Sequence, residues 1–220
     1  YGLQADGVYA TQAEADKANL VNSSMQAYQA GDVRFIDQNN DGRIDIKDRI
    51  SLGSAAPDYF GGFYTNFRYR HFALSAEFAY SKGNKAYNAV RRTLESASSF
   101  SNQSVAVSNR WSVEGQVTDM PRATFGDAIG NNNFSSRWIE DASYLRIKNI
   151  TLSYNFDKPI WNFFRSGTIY VTGENLLTAT KYLGLDPEFA YSSSDNATQG
   201  FDYAKVMQPK SVKLGINLKF

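Results

Sequence analysis

The sequence contains no cysteine, a single histidine (His71) and no long apolar run. The absence of cysteine excludes disulfides and thiolate metal sites, and it is compatible with export through an oxidising compartment. No window approaches the roughly 20 consecutive apolar residues of a transmembrane helix, which is true of soluble proteins and of membrane β-barrels alike. The formal net charge of +1 predicts neither a nucleic-acid partner nor a strongly anionic one.

The chain also begins without the usual leader features. Its first residues, Tyr1-Gly2-Leu3-Gln4, include neither an initiator methionine nor a basic and apolar secretion signal. We therefore expect that any export signal lies upstream or has been removed, and that the chain is part of a longer protein.

Aromatic residues are abundant, at 15% of the chain, and they favour β structure and the aromatic girdles of membrane barrels. Apolar and polar residues alternate with period two over 211–220, and the same alternation recurs over 72–81. Three less regular segments, 59–70, 143–156 and 168–175, also have the composition of strands. The sequence therefore predicts five strands of roughly 9 to 14 residues, a length suited to a membrane barrel.

Period-two alternation assigns the side chains of the last strand to opposite faces. We predict that its apolar residues face lipid, because a lysine is costly in hydrocarbon. These residues are Val212, Leu214, Ile216, Leu218 and Phe220. The opposite face, toward the barrel lumen, is predicted to carry Lys213, Asn217 and Lys219. Aromatic residues that end the apolar stripes predict a rim at the lipid headgroups; they are Tyr69, Tyr80, Phe156 and Phe220.

The connections between the predicted strands alternate in length. The first hairpin turns at Arg70-His71 and the second within 157–167, whereas 82–142 and 176–210 are long. Outer-membrane barrels have short periplasmic turns and long extracellular loops, so we expect the long links outside the cell. We predict antiparallel pairing of 59–70 with 72–81, of 143–156 with 168–175, and of 168–175 with 211–220.

Two stretches carry helical signals. Residues 84–97 have helix-compatible spacing and are expected to give one long link its own helix. Near the start, Thr11 and Glu14 resemble a capping box, which predicts a helix that runs toward Ala30 and is ended by Gly31.

Residues 37–48 follow the pattern D-x-N-x-D-G-x-I-D-x-x-D of a calcium loop, in which Gly42 permits the sharp turn. Calcium takes about six to eight oxygen ligands. The predicted donors are the side chains of Asp37, Asn39, Asp41 and Asp48, the carbonyl of Arg43, and Asp45 directly or through water. The sequence therefore predicts a structural calcium ion.

The loop departs from an EF-hand in two respects. Asp48 stands where a bidentate glutamate is usual, and no apolar helix pair surrounds the loop, which resembles the dockerin type more closely. The alternative is an Asx-rich turn that is ordered by its own side-chain hydrogen bonds without a metal.

Catalytic groups are scarce. His71 lies at a predicted tight turn, and no nucleophile elbow or phosphate-binding glycine motif occurs. The acidic pairs Glu140 with Asp141 and Asp119 with Asp127 are close only in sequence, and we expect them to be solvated loop charges. The sequence therefore predicts no catalytic residue and no enzyme.

The last long link is rich in aromatic and acidic side chains that suit either contact with a sugar or peptide or packing of the loop itself. They are Tyr182, Phe189, Tyr191, Phe201 and Tyr203 with Asp186, Glu188, Asp195 and Asp202. Loop packing is the favoured interpretation, and it is favoured equally for Trp111 and Trp138 in the other long link.

Seven motifs follow one another along nearly the whole chain. They are GDVRFIDQNNDGRID from residue 31, PDYFGGF from 57, GNK from 83, RWIEDASYLRIKN from 137, YVTGENLL from 170, GLDP from 184 and LGINLKF from 214. In this order they resemble the C-terminal barrel region of the SusC/RagA family of TonB-linked outer-membrane transporters.

The resemblance implies an all-β membrane fold, a barrel of about 22 strands that encloses a plug. It implies a nutrient importer in the bacterial outer membrane, energised through TonB, that takes up oligosaccharides or peptides with a SusD-like lipoprotein. The expected organisation is an extracellular loop region over 1–57, followed over 58–220 by C-terminal strands and two long extracellular loops containing short helices. The plug, its TonB-contacting segment and the rest of the barrel are expected outside this chain.

Two other functions fit parts of the sequence. A non-transporting outer-membrane barrel would share the strands and girdles but lack a plug. A secreted calcium-binding β domain would explain the loop at 37–48, but the continuous apolar strand faces would then need a covering layer that this chain barely supplies.

Overall fold

The computed structural model describes residues 1–156, 165–189 and 199–219. Its strands are β1 (Ala5–Val8), β2 (Val21–Asn22), β3 (Val33–Phe35), β4 (Arg43–Ile44), β5 (Tyr59–Tyr69), β6 (Phe72–Lys82), β7 (Lys85–Asn88), β8 (Ile139–Asp141), β9 (Tyr144–Phe156), β10 (Ser166–Thr180), β11 (Phe201–Asp202) and β12 (Ser211–Lys219). Its helices are α1 (Gln12–Ala18) and α2 (Ala89–Glu95), with 3-10 turns at Ile46–Asp48, Val105–Asn109, Phe125–Asp127 and Ser136–Trp138. Among the described residues, no helix is both long and apolar enough to cross a membrane.

The chain divides into two compact units, each assembled from three separate stretches. The first comprises Tyr1–Ala55, Ala86–Glu140 and the described part of 190–204. The second comprises the described parts of 56–85, 141–189 and 205–220. The first change of unit lies between residues 55 and 56, and much of both long links belongs with residues 1–55 and not with the strands.

The second unit is a five-stranded antiparallel sheet in the order β12-β10-β9-β6-β5. The five predicted strands are all present, and the three predicted antiparallel pairings are confirmed. The fourth strand is longer than predicted: β10 continues to Thr180 because it regains its pairing with β9 after an irregularity between Glu174 and Leu177. The tight turn at Arg70-His71 is present as well, with Arg70 in the left-handed region at φ 52°.

The two faces of this sheet differ in chemistry because the strands alternate with period two and, apart from irregularities in β9 and β10, remain in register with their neighbours. One row that crosses all five strands is apolar: Phe67, Leu74, Leu152, Val171 and Leu214. The adjacent row, on the opposite face, is polar: Asn66, Ser75, Thr151, Thr172 and Lys213. We call these the apolar face and the polar face. The predicted alternation of β12 is confirmed over its described residues, and Phe220 lies outside them.

A β-bulge at Lys148 explains why the third strand looked irregular in sequence. In register with β6, Asn149 pairs with Glu77 and Ile147 pairs with Phe78, so Lys148 is the extra residue. An extra residue re-aims the side chains next to it. As a result the alternation is broken at Lys148 while Ile147 and Ile150 remain on the apolar face.

The first unit is built from short strand pairs around one hydrophobic cluster. Strands β1 and β3 pair antiparallel, β2 and β4 pair parallel, and β7 is the central strand of a small sheet with β11 and β8. The cluster consists of Leu3, Tyr9, Ala15, Tyr28, Val33, Phe35, Ile44 and Ile129. Residues far apart in sequence thus share one core, which makes this part of the chain a folded body.

Both helix predictions were too long. The hydroxyl of Thr11 accepts a hydrogen bond from the Glu14 N–H, as expected of the cap, but α1 ends at Ala18 because Asn19 adopts a left-handed conformation at φ 50°. Within 84–97, the first residues form β7, and the helix starts only after Asn88, whose side chain accepts from the N–H of Arg91. Local capping and strand pairing therefore override the helical spacing in both stretches.

A buried ion pair ties together distant parts of the first unit. Asp32, fully buried, accepts hydrogen bonds from Arg122 at 2.8 and 3.1 Å and from the amide of Asn131 at 3.1 Å. The side chain of Asn131 also accepts from the N–H of Val33 at 2.7 Å. These bonds fix the segment just before the loop at 37–48.

Candidate functional site

The loop at 37–48 is ordered by hydrogen bonds from its own backbone. The two carboxylate oxygens of Asp37 accept from the N–H groups of Asn40 and Gly42, at 2.7 and 2.8 Å. Asp48, fully buried, accepts from Gln38 and Asp45 at 2.9 and 2.8 Å. Gly42 has φ +79°, a conformation that glycine adopts without the strain it causes in most other residues.

The remaining candidate donors make similar local contacts. Asn39 and Asp41 each accept from the backbone two residues further on, and Asp45 caps the 3-10 turn that ends the loop. The guanidinium of Arg43 donates to the carbonyl of Ser23 at 2.5 Å. Among the described residues, no three His, Cys, Asp or Glu side chains converge as a metal site. Calcium at Asp37, Asn39, Asp41, Arg43, Asp45 and Asp48 therefore stays a prediction.

A charged cluster lies on the polar face of the sheet, and sequence reasoning did not predict it. Arg146 of β9, only 3% exposed, donates to Asp186, to Glu188 at 2.8 Å and to the hydroxyl of Thr178 at 2.9 Å. Lys148, which the bulge places beside it, contacts both oxygens of Glu188 at 2.6 and 2.7 Å. The cluster fastens the segment that follows β10 onto the sheet.

Asp186 is the most buried carboxylate of this cluster, at 4% exposure. Burial raises the pKa of Asp186, but hydrogen bonds from Arg146 and from the backbone N–H groups of Glu188 and Gln208 outweigh it and hold this pKa below the ordinary value. A carboxyl with a depressed pKa contributes stability above its ordinary pKa, and this stability is lost as the pH falls through the folded-state value. The cluster is therefore intact at neutral pH.

The aromatic and acidic residues of the last long link are mostly engaged within the chain. In the second unit, Tyr182 is buried and lies 5.6 Å from Phe189, ring centre to ring centre. In the first, Phe201 lies against Tyr87 at 5.3 Å and stacks on Tyr203 at 6.1 Å. These contacts agree with the packing interpretation. Tyr191 and Asp195 lie outside the described residues.

The tryptophans of the other long link are also packed. Trp138 is fully buried, with the guanidinium of Arg137 4.7 Å and that of Arg91 5.6 Å from its ring centre. Burial and the neighbouring Arg91 lower the pKa of Arg137 to about 10. Trp111 donates to the carbonyl of Ala10 at 3.0 Å.

The paired carboxylates have separate structural roles. Glu140 accepts from Arg91 at 3.0 Å, whereas Asp141 accepts from the N–H and hydroxyl of Ser143. Asp127 caps the N–H groups that follow it, and burial raises its pKa in spite of these bonds. The prediction that these are solvated loop charges was wrong for Glu140, whose side chain is 8% exposed, and for Asp127, which is half-buried and accepts hydrogen bonds from two backbone N–H groups.

The chain is similar in sequence to bacterial TonB-dependent receptors. No protein-family model matches it. A TonB-dependent receptor of Formosa agariphila, named P26, is 30% identical over 224 residues, which cover 100% of this chain and 22% of that receptor. The TonB-dependent receptor SusC of Bacteroides thetaiotaomicron is 27% identical over 225 residues, 96% of this chain and 20% of SusC. The chain thus spans about a fifth of the length of the curated relatives it matches.

Solved structures show the same fold. The RagAB peptide importer in its open-open state superposes with a TM-score of 0.71 at 23% identity, over 100% of this chain and 22% of the matched chain. In its closed-closed state the TM-score is 0.68. The resemblance to SusC/RagA proteins is therefore confirmed: the chain is a homologue of one segment of the TonB-dependent receptors and has the fold of their transmembrane β-barrel strands.

Proposed function

We propose that this chain forms part of the barrel wall of a nutrient importer in the bacterial outer membrane, energised through TonB. The observation that supports this most strongly is the five-stranded antiparallel sheet with one apolar and one polar face. In a membrane barrel the apolar face contacts lipid and the polar face lines the lumen. The strands have 9 to 15 residues, enough to span the hydrocarbon layer when tilted.

The names of the relatives support a proposal for the substrate class and the partners. The RagAB structures are those of a peptide importer, and the motifs resemble a family that takes up oligosaccharides or peptides. We propose one of these two substrate classes, a SusD-like surface lipoprotein as the partner, and contact with TonB through a segment outside this chain. The polar face offers hydrogen-bonding groups at Thr151, Thr172 and Asn149, beside Lys213, which is paired with Glu174.

Uptake in cells tests this proposal. A strain that lacks the full-length gene should lose growth on one class of oligosaccharide or peptide as the limiting nutrient, and the intact gene should restore it. A gene with its TonB-contacting segment deleted should restore protein in the outer membrane but not growth. Growth that is restored without this segment, or unaffected by loss of the gene, would contradict TonB-dependent import.

We also propose that the loop at 37–48 binds a structural calcium ion. The support is the spacing of its oxygen donors and the charge they concentrate. Four aspartates lie within twelve residues, and the cations near them, Arg43 and Lys47, approach only to 3.9 Å. A divalent cation would offset this repulsion, and its binding to the folded loop alone would stabilise that conformation.

The calcium proposal predicts protection of the loop by the metal. The purified full-length protein should retain calcium in metal analysis, and a chelator should accelerate proteolysis within residues 31–50. Asp41→Ala should reproduce the effect of the chelator, whereas Asp6→Ala, which removes an exposed carboxylate elsewhere in the same unit, should not. No retained calcium together with unchanged proteolysis would leave the metal-free Asx turn as the correct description.

A further inference from the structure

The strand ends that lead into the long links form a concave site on the sheet. A pocket of about 550 Å³ lies there within the second unit. Its lining comprises Tyr59, Tyr80, Ser81, Lys82, Asp141, Ser143, Tyr144, Leu145, Ala179, Thr180 and Lys181. This volume falls in the range of about 300–1,000 Å³ that is typical of small-molecule sites.

The register places much of this pocket on the apolar face. Tyr80 and Lys82 continue the alternation of Leu74 and Phe78 along β6, and Leu145 pairs with Tyr80 across the strands. Tyr80 lies over Gly61, where an added Cβ would be 2.9 Å from the Tyr80 hydroxyl. Tyr59 meets Tyr80 edge to face at 6.3 Å. Tyr59 and Tyr80 therefore form an aromatic side of the pocket at the end of the apolar face.

Two lysines dominate the charge of the pocket. Lys82 and Lys181 are exposed, and neither ammonium has a hydrogen bond or ion pair among the residues that the structure describes. Asp141 is the one carboxylate among the described residues of the lining, and it accepts two hydrogen bonds from Ser143. These bonds, with the nearby charges of Lys85 at 4.0 Å and of Lys82, hold the pKa of Asp141 below its ordinary value. With two lysines and one carboxylate, the described lining carries a net positive charge.

The residues around the pocket suit an amphiphilic ligand better than a small free anion. Beyond the lining residue Leu145, the apolar face continues through Phe78, which is half-buried, and Leu177, which is exposed. A ligand seated here would meet two cations and tyrosine hydroxyls at one end and an apolar surface at the other. Tyrosine and lysine also occur singly at membrane interfaces, where they need no specific ligand. This position differs from such single interfacial residues because it is concave and has two lysines in one lining.

From these observations we infer a binding site for an anionic lipid with a phosphorylated sugar headgroup, held in the outer leaflet against this part of the barrel. This inference rests on the proposed function, because only a membrane-embedded barrel brings the apolar face into contact with lipid. Lys82 and Lys181 bind the phosphate, the tyrosines border the sugar, and the acyl chains lie along the apolar face.

The test uses the full-length protein in detergent with diphosphoryl lipid A as the probe. Each basic residue beside an anionic lipid contributes roughly 1 kcal/mol, so K82Q/K181Q should bind the probe about 10- to 30-fold more weakly. The control K213Q/K219Q removes the same charge from the polar face and should bind like the unchanged protein. Lipid that co-purifies from cells, measured by mass spectrometry, should fall in the same variant only.

Free phosphate provides the second arm of the test. Inorganic phosphate should not displace the lipid at comparable concentration, because it lacks the acyl chains. Equal binding by K82Q/K181Q and the control, or displacement by inorganic phosphate alone, would overturn the lipid site. Import by K82Q/K181Q should be unchanged, since its substitutions lie away from the lumen. If K82Q/K181Q and K213Q/K219Q bound the lipid equally while import remained normal, the lipid site would be rejected and the proposed function would be unaffected.

Discussion

Replacing Arg146 by methionine should release the segment after β10 from the sheet. Methionine has nearly the length of the arginine stem but no donor, so Asp186 and Glu188 lose their hydrogen bonds from the guanidinium. Removing one partner of a buried ion pair costs about 3–5 kcal/mol, because the other charge remains buried without compensation. Hydrogen exchange of residues 183–189 in the full-length protein should accelerate by at least two orders of magnitude, which corresponds to roughly 3 kcal/mol.

The matched control is Lys213→Met on the same polar face. It breaks a pair with Glu174, but the Lys213 side chain is 58% exposed, so the expected change is about 0–1 kcal/mol. Exchange in 183–189 should then remain as in the unchanged protein. If Arg146→Met and Lys213→Met behaved alike, the charged cluster would not be what holds this segment.

Replacing Leu214 by lysine should destabilise the barrel strongly. Leu214 belongs to the apolar row that crosses all five strands, near the middle of β12, and a lysine there would face hydrocarbon. Such a substitution costs about 2–4 kcal/mol at the bilayer midplane. The midpoint of denaturant unfolding from phospholipid bilayers should fall accordingly, as should the amount of folded protein in the outer membrane.

Asn217→Lys supplies the comparison for Leu214→Lys. It places the same side chain in the same strand but on the polar face, where water in the lumen solvates it. We expect a change below about 1 kcal/mol, since surface substitutions away from packed contacts have small effects. A greater loss of stability in Asn217→Lys than in Leu214→Lys would mean that the two faces are assigned the wrong way round.

The strands and their pairing could be predicted because the determining signals are local. Alternation over 72–81 and 211–220 specified both the element and its faces, and the short turn at Arg70-His71 specified one register. The family motifs were equally readable, since each is contiguous in sequence. The central elements of the second unit therefore required no knowledge of distant contacts.

The remaining features depend on contacts between distant residues. The sequence predicted only a less regular strand over 143–156, and it is the fold that brings Arg146 to Asp186 and Glu188, about 40 positions along the chain. The packing of 86–140 with 1–55 rests on links such as Asp32 to Arg122, which are 90 residues apart. The predicted length of α1 was wrong for a local reason. Asn19 ends the helix at a point where the spacing of residues would have allowed it to continue.

The central claim is that one face of the five-stranded sheet contacts lipid and the other faces a water-filled lumen. Since this chain has no cysteine, single cysteines can be introduced one at a time along β12. The labelling of each is then measured in a full-length protein that contains no other cysteine. In outer-membrane vesicles, a water-soluble maleimide should label cysteines at Ser211, Lys213 and Asn217. It should leave those at Val212, Leu214 and Ile216 unlabelled unless the protein is unfolded first. Uniform labelling of all six positions, or the reverse alternation, would contradict the assignment of this chain to the wall of a membrane barrel.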